Sequence, residues 1–201
     1  MKKLLLLVPL IVFIISCAAE KGTNFYPLSV GNEWNYEATG TITTPDTSMT
    51  TEGTMDQEIT SSTTLDNGTS VLEQVMTFNI DMPIRADTSY DTTYVEETSD
   101  YILSYDSKAD TVADTMLALP LTDGKTWNVG DGMTAVVLGK ETVTVPLGTY
   151  TDCWKLAWIM GTDTMYVYLG NNVGLVKGLF IETEDSVRYE MSFELESATV
   201  D

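Results

Sequence analysis

The chain has 201 residues, of which 30 are acidic, 10 are basic and none is histidine, giving a formal net charge of −20. This excess of acid disfavours nucleic acids and anionic lipid head groups as partners, because proteins bind both through Lys and Arg. The absence of histidine excludes the catalytic triads in which it is the base and the zinc sites in which it is a ligand. The length suits one domain with a sizeable core.

The first element in the chain is a secretion signal. Lys2 and Lys3 precede an apolar run from Leu4 to Ile15, which is shorter than the roughly 20 residues of a membrane-spanning helix. The run ends in Ile14-Ile15-Ser16-Cys17. This ending resembles the bacterial lipobox, in which a small residue precedes an obligatory cysteine. The resemblance implies cleavage before Cys17 and a diacylglyceryl thioether on its sulfur, together with further acylation that anchors the chain stably.

The lipobox divides the chain into a signal peptide (1–16), a lipidated tether (17–24) and one domain (25–201). The signal carries two Lys and no acid, so the mature charge is 8 − 30 = −22. Ala18 and Ala19 follow Cys17, and Ala18 occupies the second position, at which lipoproteins retained in the inner membrane carry Asp. The expected location is therefore the envelope, at the outer membrane (periplasmic or surface face) if the organism has one. Acylation of Cys17 leaves Cys153 without a thiol partner, and we expect Cys153 to be buried and inert.

Alternation of apolar and polar residues with a period of two recurs from Trp34 to Leu195 and predicts β-strands. It is clear in Trp34–Ile42 and above all in Val187–Leu195. In residues 70–82 it places Leu72, Met76, Phe78, Ile80 and Met82 on one face. Asn67-Gly68 predicts a hairpin turn between two of the strands. There is no convincing amphipathic helix. The sequence therefore predicts a single all-β antiparallel domain, either a half-open or closed barrel that limits exposed edges or, alternatively, a β-sandwich.

Three phrases stand out in the mature sequence, at Phe25–Tyr36, Val143–Leu156 and Val173–Lys177. In this order they resemble a broad group of uncharacterised bacterial lipoproteins that share a YxPLxxGNxW opening, a VPxGTFxxC middle and a GVGLVK close. The resemblance implies an envelope lipoprotein and no established catalytic role. This chain departs from the pattern at three positions, Leu147, Tyr150 and Asn172.

The candidate binding residues are aromatic. One interpretation of the four tryptophans is an apolar pocket; the other is ordinary core packing. They are Trp34, Trp127, Trp154 and Trp158. The 10 methionines either line an adaptable apolar cavity or fill gaps in the core. Two acidic groups, Glu96-Glu97 and Glu182/Glu184-Asp185, lack the spacing of a calcium loop and are typical of solvated surface. No catalytic residue, metal site or cofactor is predicted.

Three functions remain open. The first is a non-enzymatic envelope lipoprotein that binds a ligand or a partner through its β scaffold, and an apolar cavity of several hundred Å³ would favour it. The second is a structural or assembly module of the envelope, which a solid core with an exposed apolar patch would favour. The third is a carboxylate-based hydrolase, which needs two carboxylates about 5–10 Å apart in a cleft. The expected partners are the membrane, through the lipid, and either an apolar small ligand or an envelope protein.

Overall fold

The computed structural model describes residues 24–82 and 85–201, except for the side chains of residues 80–87. The signal peptide, Cys17 and most of the tether lie outside these residues. The described residues form twelve β-strands: β1 (Glu33–Thr43), β2 (Ser48–Thr64), β3 (Ser70–Met82), β4 (Arg85–Glu97), β5 (Tyr101–Tyr105), β6 (Asp114–Ala118), β7 (Thr126–Gly130), β8 (Met133–Val145), β9 (Gly148–Met160), β10 (Asp163–Gly170), β11 (Gly174–Glu184) and β12 (Val187–Thr199). The described residues contain no helix that could cross a membrane.

All twelve strands belong to one sheet, in the order β6-β5-β4-β3-β2-β1-β12-β11-β10-β9-β8-β7. Each pair is antiparallel, and each joins strands that are consecutive in sequence except for the pair of β1 with β12. This long-range pair makes β6 and β7 the two edges of the sheet, and the edges contact each other. The sheet is therefore a nearly closed barrel. The predicted all-β barrel is confirmed, and the alternative of a sandwich of two sheets does not apply.

The strands form where the sequence alternates. In β1, Trp34, Tyr36 and Ala38 are buried whereas Glu33 and Glu37 are exposed. The predicted row Val187–Leu195 lies in β12, where its last two apolar residues, Phe193 and Leu195, are buried. Of the row predicted in residues 70–82, the side chains of Ile80 and Met82 lie outside the description. Pleated strands send successive side chains to opposite faces, so one face of each row enters the core.

A tight turn joins β2 to β3 at the predicted position. Gly68 has φ +93°, a left-handed conformation that glycine adopts without strain. The side chain of Asn67 supports the turn, because its Oδ1 accepts a 2.9 Å hydrogen bond from the Thr69 N–H. The Asn67-Gly68 hairpin is confirmed.

The segment before β1 packs against the inside of the barrel. The carbonyl oxygen of Asn24 accepts a hydrogen bond from the N–H of Asn172, in the turn between β10 and β11. Phe25 is buried in a core cluster with Leu156 and Leu169. Two residues further along the chain Pro27 is buried as well. Residues 24–27 are thereby held inside the barrel, where they contribute to the site described next.

Candidate functional site

A cavity of about 280 Å³ lies inside the barrel. Its walls come from the segment before β1 and from strands β2, β3, β6 and β9–β12. Most of the lining side chains are apolar: Met55, Met76, Phe78, Met116, Leu117, Trp158, Met165, Val167, Leu169, Leu175 and Phe193. Its volume is close to the lower end of the range, about 300–1,000 Å³, of pockets that hold drug-sized ligands.

Methionine contributes to several sides of this cavity. Met55, Met76, Met116 and Met165 come from four different strands, β2, β3, β6 and β10. An unbranched thioether side chain changes rotamer at little cost and fits irregular apolar shapes. Of the two roles that the sequence left open for methionine, all four residues have the role of cavity lining, and Met55 belongs to a core cluster as well.

A polar cluster interrupts the apolar lining on one wall. The Tyr26 hydroxyl donates a 2.7 Å hydrogen bond to Oε1 of Gln74, and Nε2 of Gln57 donates to the same oxygen at 3.1 Å. Nε2 of Gln74 in turn donates to the Thr93 hydroxyl at 3.5 Å. Burial raises the pKa of Tyr26 to about 12 against the opposing effect of its amide neighbours, so the cluster is uncharged at neutral pH.

Trp158 lines a different wall, on β9. Its indole Nε1 is buried and has no hydrogen-bond partner among the described residues. The indoles of Trp34 and Trp127 are paired, because they donate to the carbonyl oxygens of Val173 at 2.6 Å and Thr115 at 2.9 Å. Buried polar groups are nearly always paired, so an unpaired N–H on a residue that lines a cavity is unusual.

The structure does not place the four tryptophans around one pocket. Trp127, Trp154 and Trp158 pack against the same core cluster, but only Trp158 lines the 280 Å³ cavity. Trp34 belongs to the other large cluster. Trp154 faces the ammonium of Lys140, whose Nζ lies 4.7 Å from the ring centroid.

Gln57 and Gln74, the two amides of the polar cluster, were not among the candidate residues predicted from the sequence. Gln57 lies between Met55 and Ile59 in an inward row of β2, and Gln74 precedes Met76 in an inward row of β3. Each amide therefore interrupts an apolar row. Such an interruption is a usable signal, because a polar side chain on the core face must find a partner or a ligand.

The acidic residues that the sequence brought into question have other roles or remain at the surface. Oε2 of Glu96 accepts a 2.8 Å hydrogen bond from the Tyr105 hydroxyl, and burial together with Glu96 raises the pKa of Tyr105 to about 12. Glu182 borders a second, smaller cavity of about 150 Å³. No group of three or more described Cys, Asp or Glu residues is arranged to hold a metal ion.

No protein-family model and no curated protein matches the sequence significantly. Solved structures that resemble it include a Bacteroides fragilis protein described as exported, with a YmcC-like fold (13% identity, 87% of this chain, 98% of that chain, TM-score 0.45). A second is a protein from Parabacteroides distasonis described as a lipoprotein (14% identity, 88% of this chain, 99% of that chain, TM-score 0.40). A third is a DUF1329 family protein from Desulfovibrio piger (12% identity, 86% of this chain, 87% of that chain, TM-score 0.27). Sequence identities and TM-scores this low give no information about shared function.

Proposed function

We propose that the chain is an envelope-anchored lipoprotein that binds an apolar ligand in the cavity of its barrel, without catalysis. The observation that carries the proposal is the cavity itself, about 280 Å³ in volume and lined by flexible apolar side chains. Around an apolar space of this size the lining atoms lack the contacts that close packing of protein side chains would provide. A ligand that filled it would restore those contacts.

The chemistry of the walls favours binding over hydrolysis. The described lining residues include no carboxylate, and their single titratable group, the Tyr26 hydroxyl, has its pKa raised to about 12. A group of that pKa neither accepts nor releases a proton readily near neutral pH. The same walls argue against a purely structural module, in which close packing of the core would be expected.

The anchor belongs to the proposal as well. The resemblance of residues 14–17 to a lipobox and the resemblance of the three phrases to those of bacterial lipoproteins support attachment to the membrane through an N-terminal lipid. The described chain begins at Asn24, only seven residues after Cys17, and Tyr26 already lines the cavity. A short tether of this kind would hold the barrel close to the membrane, where apolar ligands are abundant.

Native mass spectrometry of the full chain purified from its own host tests the binding. We expect a retained small apolar molecule that is released on unfolding. A Met76→Trp variant, which fills the cavity from a half-buried position on β3, should lose this molecule while keeping its β-rich circular dichroism. Met49→Trp is the matched control, because Met49 is 47% exposed and does not line the cavity. Equal retention of the molecule by both variants would contradict the proposal.

A further inference from the structure

We infer that the cavity selects ligands in which an apolar chain carries an uncharged polar group, such as an ester or an alcohol, over ligands with an ionised head group. The inference rests on the proposed function, since it concerns the ligand that the cavity holds. Three features of the walls carry it: the orphaned indole of Trp158, the amide cluster around Gln74, and the lack of a cation among the described lining residues.

The first feature supplies a hydrogen-bond donor. The indole N–H of Trp158 donates only, so its missing partner is an acceptor such as a carbonyl, ether or hydroxyl oxygen. A pure hydrocarbon would leave this N–H unsatisfied. Nε1 itself is buried beneath the cavity wall, so a ligand oxygen reaches it where the flexible methionine side chains of the lining shift aside, and the ligand then gains a hydrogen bond that no described residue makes with this N–H.

The second feature lies on a different wall, because Gln57 and Gln74 belong to β2 and β3 whereas Trp158 belongs to β9. Oε1 of Gln74 already accepts two hydrogen bonds, which matches its two lone pairs. Oε1 of Gln57 takes part in none of the hydrogen bonds of the described residues. This side of the cavity therefore presents an acceptor, which attracts a hydroxyl donor and repels a carboxylate.

The third feature concerns charge. None of the described lining side chains is Lys or Arg, so a carboxylate or phosphate would be buried without a counter-ion. Burial of an unpaired ion is far more costly than burial of a hydrogen-bonded neutral group. The formal net charge of −20 adds a general repulsion of anions. Neutral head groups avoid both effects.

Photolabelling of the full chain in a mild detergent tests the selection. Three probes share one alkyl chain with a photoreactive diazirine and end in a carboxylate, a methyl ester or a primary alcohol. At about pH 8 the carboxylate probe is ionised. Mass spectrometry of the digested protein then reports labelling of peptides from β2 and β9, and labelling that survives in Met76→Trp is subtracted as nonspecific.

We expect the ester and the alcohol to label these peptides about 10-fold more strongly than the carboxylate, a ratio typical of losing one hydrogen bond to an unpaired group. Equal or stronger labelling by the carboxylate would overturn the inference and leave the proposed function intact. Absence of specific labelling by all three probes would overturn the proposed function, and the inference with it.

Trp158→Phe isolates the indole N–H, because the ring remains while the donor is removed. We expect the concentration of the ester probe that gives half-maximal labelling to rise about 3- to 10-fold, which is the usual effect of losing one neutral hydrogen bond. Trp154→Phe is the control, since Trp154 is on the same strand and packs against the same cluster without lining the cavity. If this concentration is unchanged in Trp158→Phe, the head group does not bind at the indole N–H of Trp158.

Discussion

The indole N–H of Trp127 on β7 donates a 2.9 Å hydrogen bond to the main-chain carbonyl oxygen of Thr115 on β6. These strands are the two edges of the sheet and are not paired with each other by a β-ladder. The bond from the Trp127 side chain therefore links the two edges of the barrel. Nearby, Gly130 on β7 lies so close to Asp114 on β6 that a Cβ at Gly130 would overlap the carboxylate. We call these two contacts, Trp127 with Thr115 and Gly130 with Asp114, the seam.

The seam should be sensitive to small changes. Trp127→Phe removes one hydrogen bond and should lower the free energy of unfolding by about 1 kcal/mol. Gly130→Ala should lower it by about 2 kcal/mol, because φ +148° is a backbone conformation that side chains rarely allow and because the new Cβ must displace the Asp114 carboxylate. Urea unfolding measures both. Gly132→Ala is the control for backbone strain, since it has φ +79° but open space around its Cβ, and a loss as large as that of Gly130→Ala would mean that the close contact is unimportant.

The register of β12 can be tested with two adjacent residues. Phe193 is 6% exposed and packs edge-on against Phe78, with ring centroids 6.0 Å apart. Phe193→Ala should therefore cost about 3–5 kcal/mol. Glu194 points to the other face, where Oε1 accepts a hydrogen bond from the half-buried Lys177. Glu194→Ala should cost less than about 1 kcal/mol, because partly exposed ion pairs contribute little. Equal, small losses in urea unfolding would show that the strand does not belong to the core.

Tyr26 should make stability depend on alkaline pH. Its pKa rises from 10.0 to about 12, mainly through burial, so the folded state favours the neutral phenol. The stabilisation by this hydroxyl is therefore complete below about pH 10 and is lost as the pH rises from about 10 to about 12. The difference in unfolding free energy between the wild type and Tyr26→Phe should shrink across this interval. Tyr90→Phe, at a residue that is 73% exposed, is the control, and a difference that stays constant for Tyr26→Phe would refute the linkage.

Cys153 should behave as a buried, inert thiol. It is fully buried, and burial, followed by the charges of Asp152 and Glu141, raises the pKa of its thiol above the usual 9.0. A smaller fraction of the thiol is therefore ionised at neutral pH, and a thiol reagent such as maleimide cannot reach the sulfur in the folded state. Maleimide should react at least about 10-fold faster in urea than in buffer. Rapid labelling of the native protein, or a covalent dimer on a non-reducing gel, would contradict this prediction.

The lipid anchor remains a prediction, because Cys17 lies outside the described residues. Cys17→Ser should leave an unprocessed precursor that incorporates no labelled palmitate, since the acyl chains attach through this sulfur. Cys153→Ser, which removes the other cysteine, should still be processed and labelled. Palmitate labelling that persists in Cys17→Ser would show that the chain is not a lipoprotein.

Much of the fold follows from local patterns in the sequence. The alternation in Trp34–Ile42 and in Val187–Leu195 predicted which side chains of β1 and β12 enter the core, and Asn67-Gly68 predicted the hairpin between β2 and β3. These inferences succeed because a pleated strand has a period of two and a tight turn requires particular residues, whatever the rest of the chain does. The all-β class and the buried rows were therefore accessible before any tertiary contact was known.

The cavity was decided by contacts between distant parts of the chain. Pairing of β1 with β12 joins residues more than 140 positions apart and brings the strand of Gln57 into the same barrel as the strand of Trp158. No local window encodes which strands meet or how deeply two side chains face each other, because that depends on register and curvature of the whole sheet. For the same reason Trp158 could be recognised as a candidate from its type, whereas its unpaired N–H and its separation from Trp34 appear only once the barrel closes.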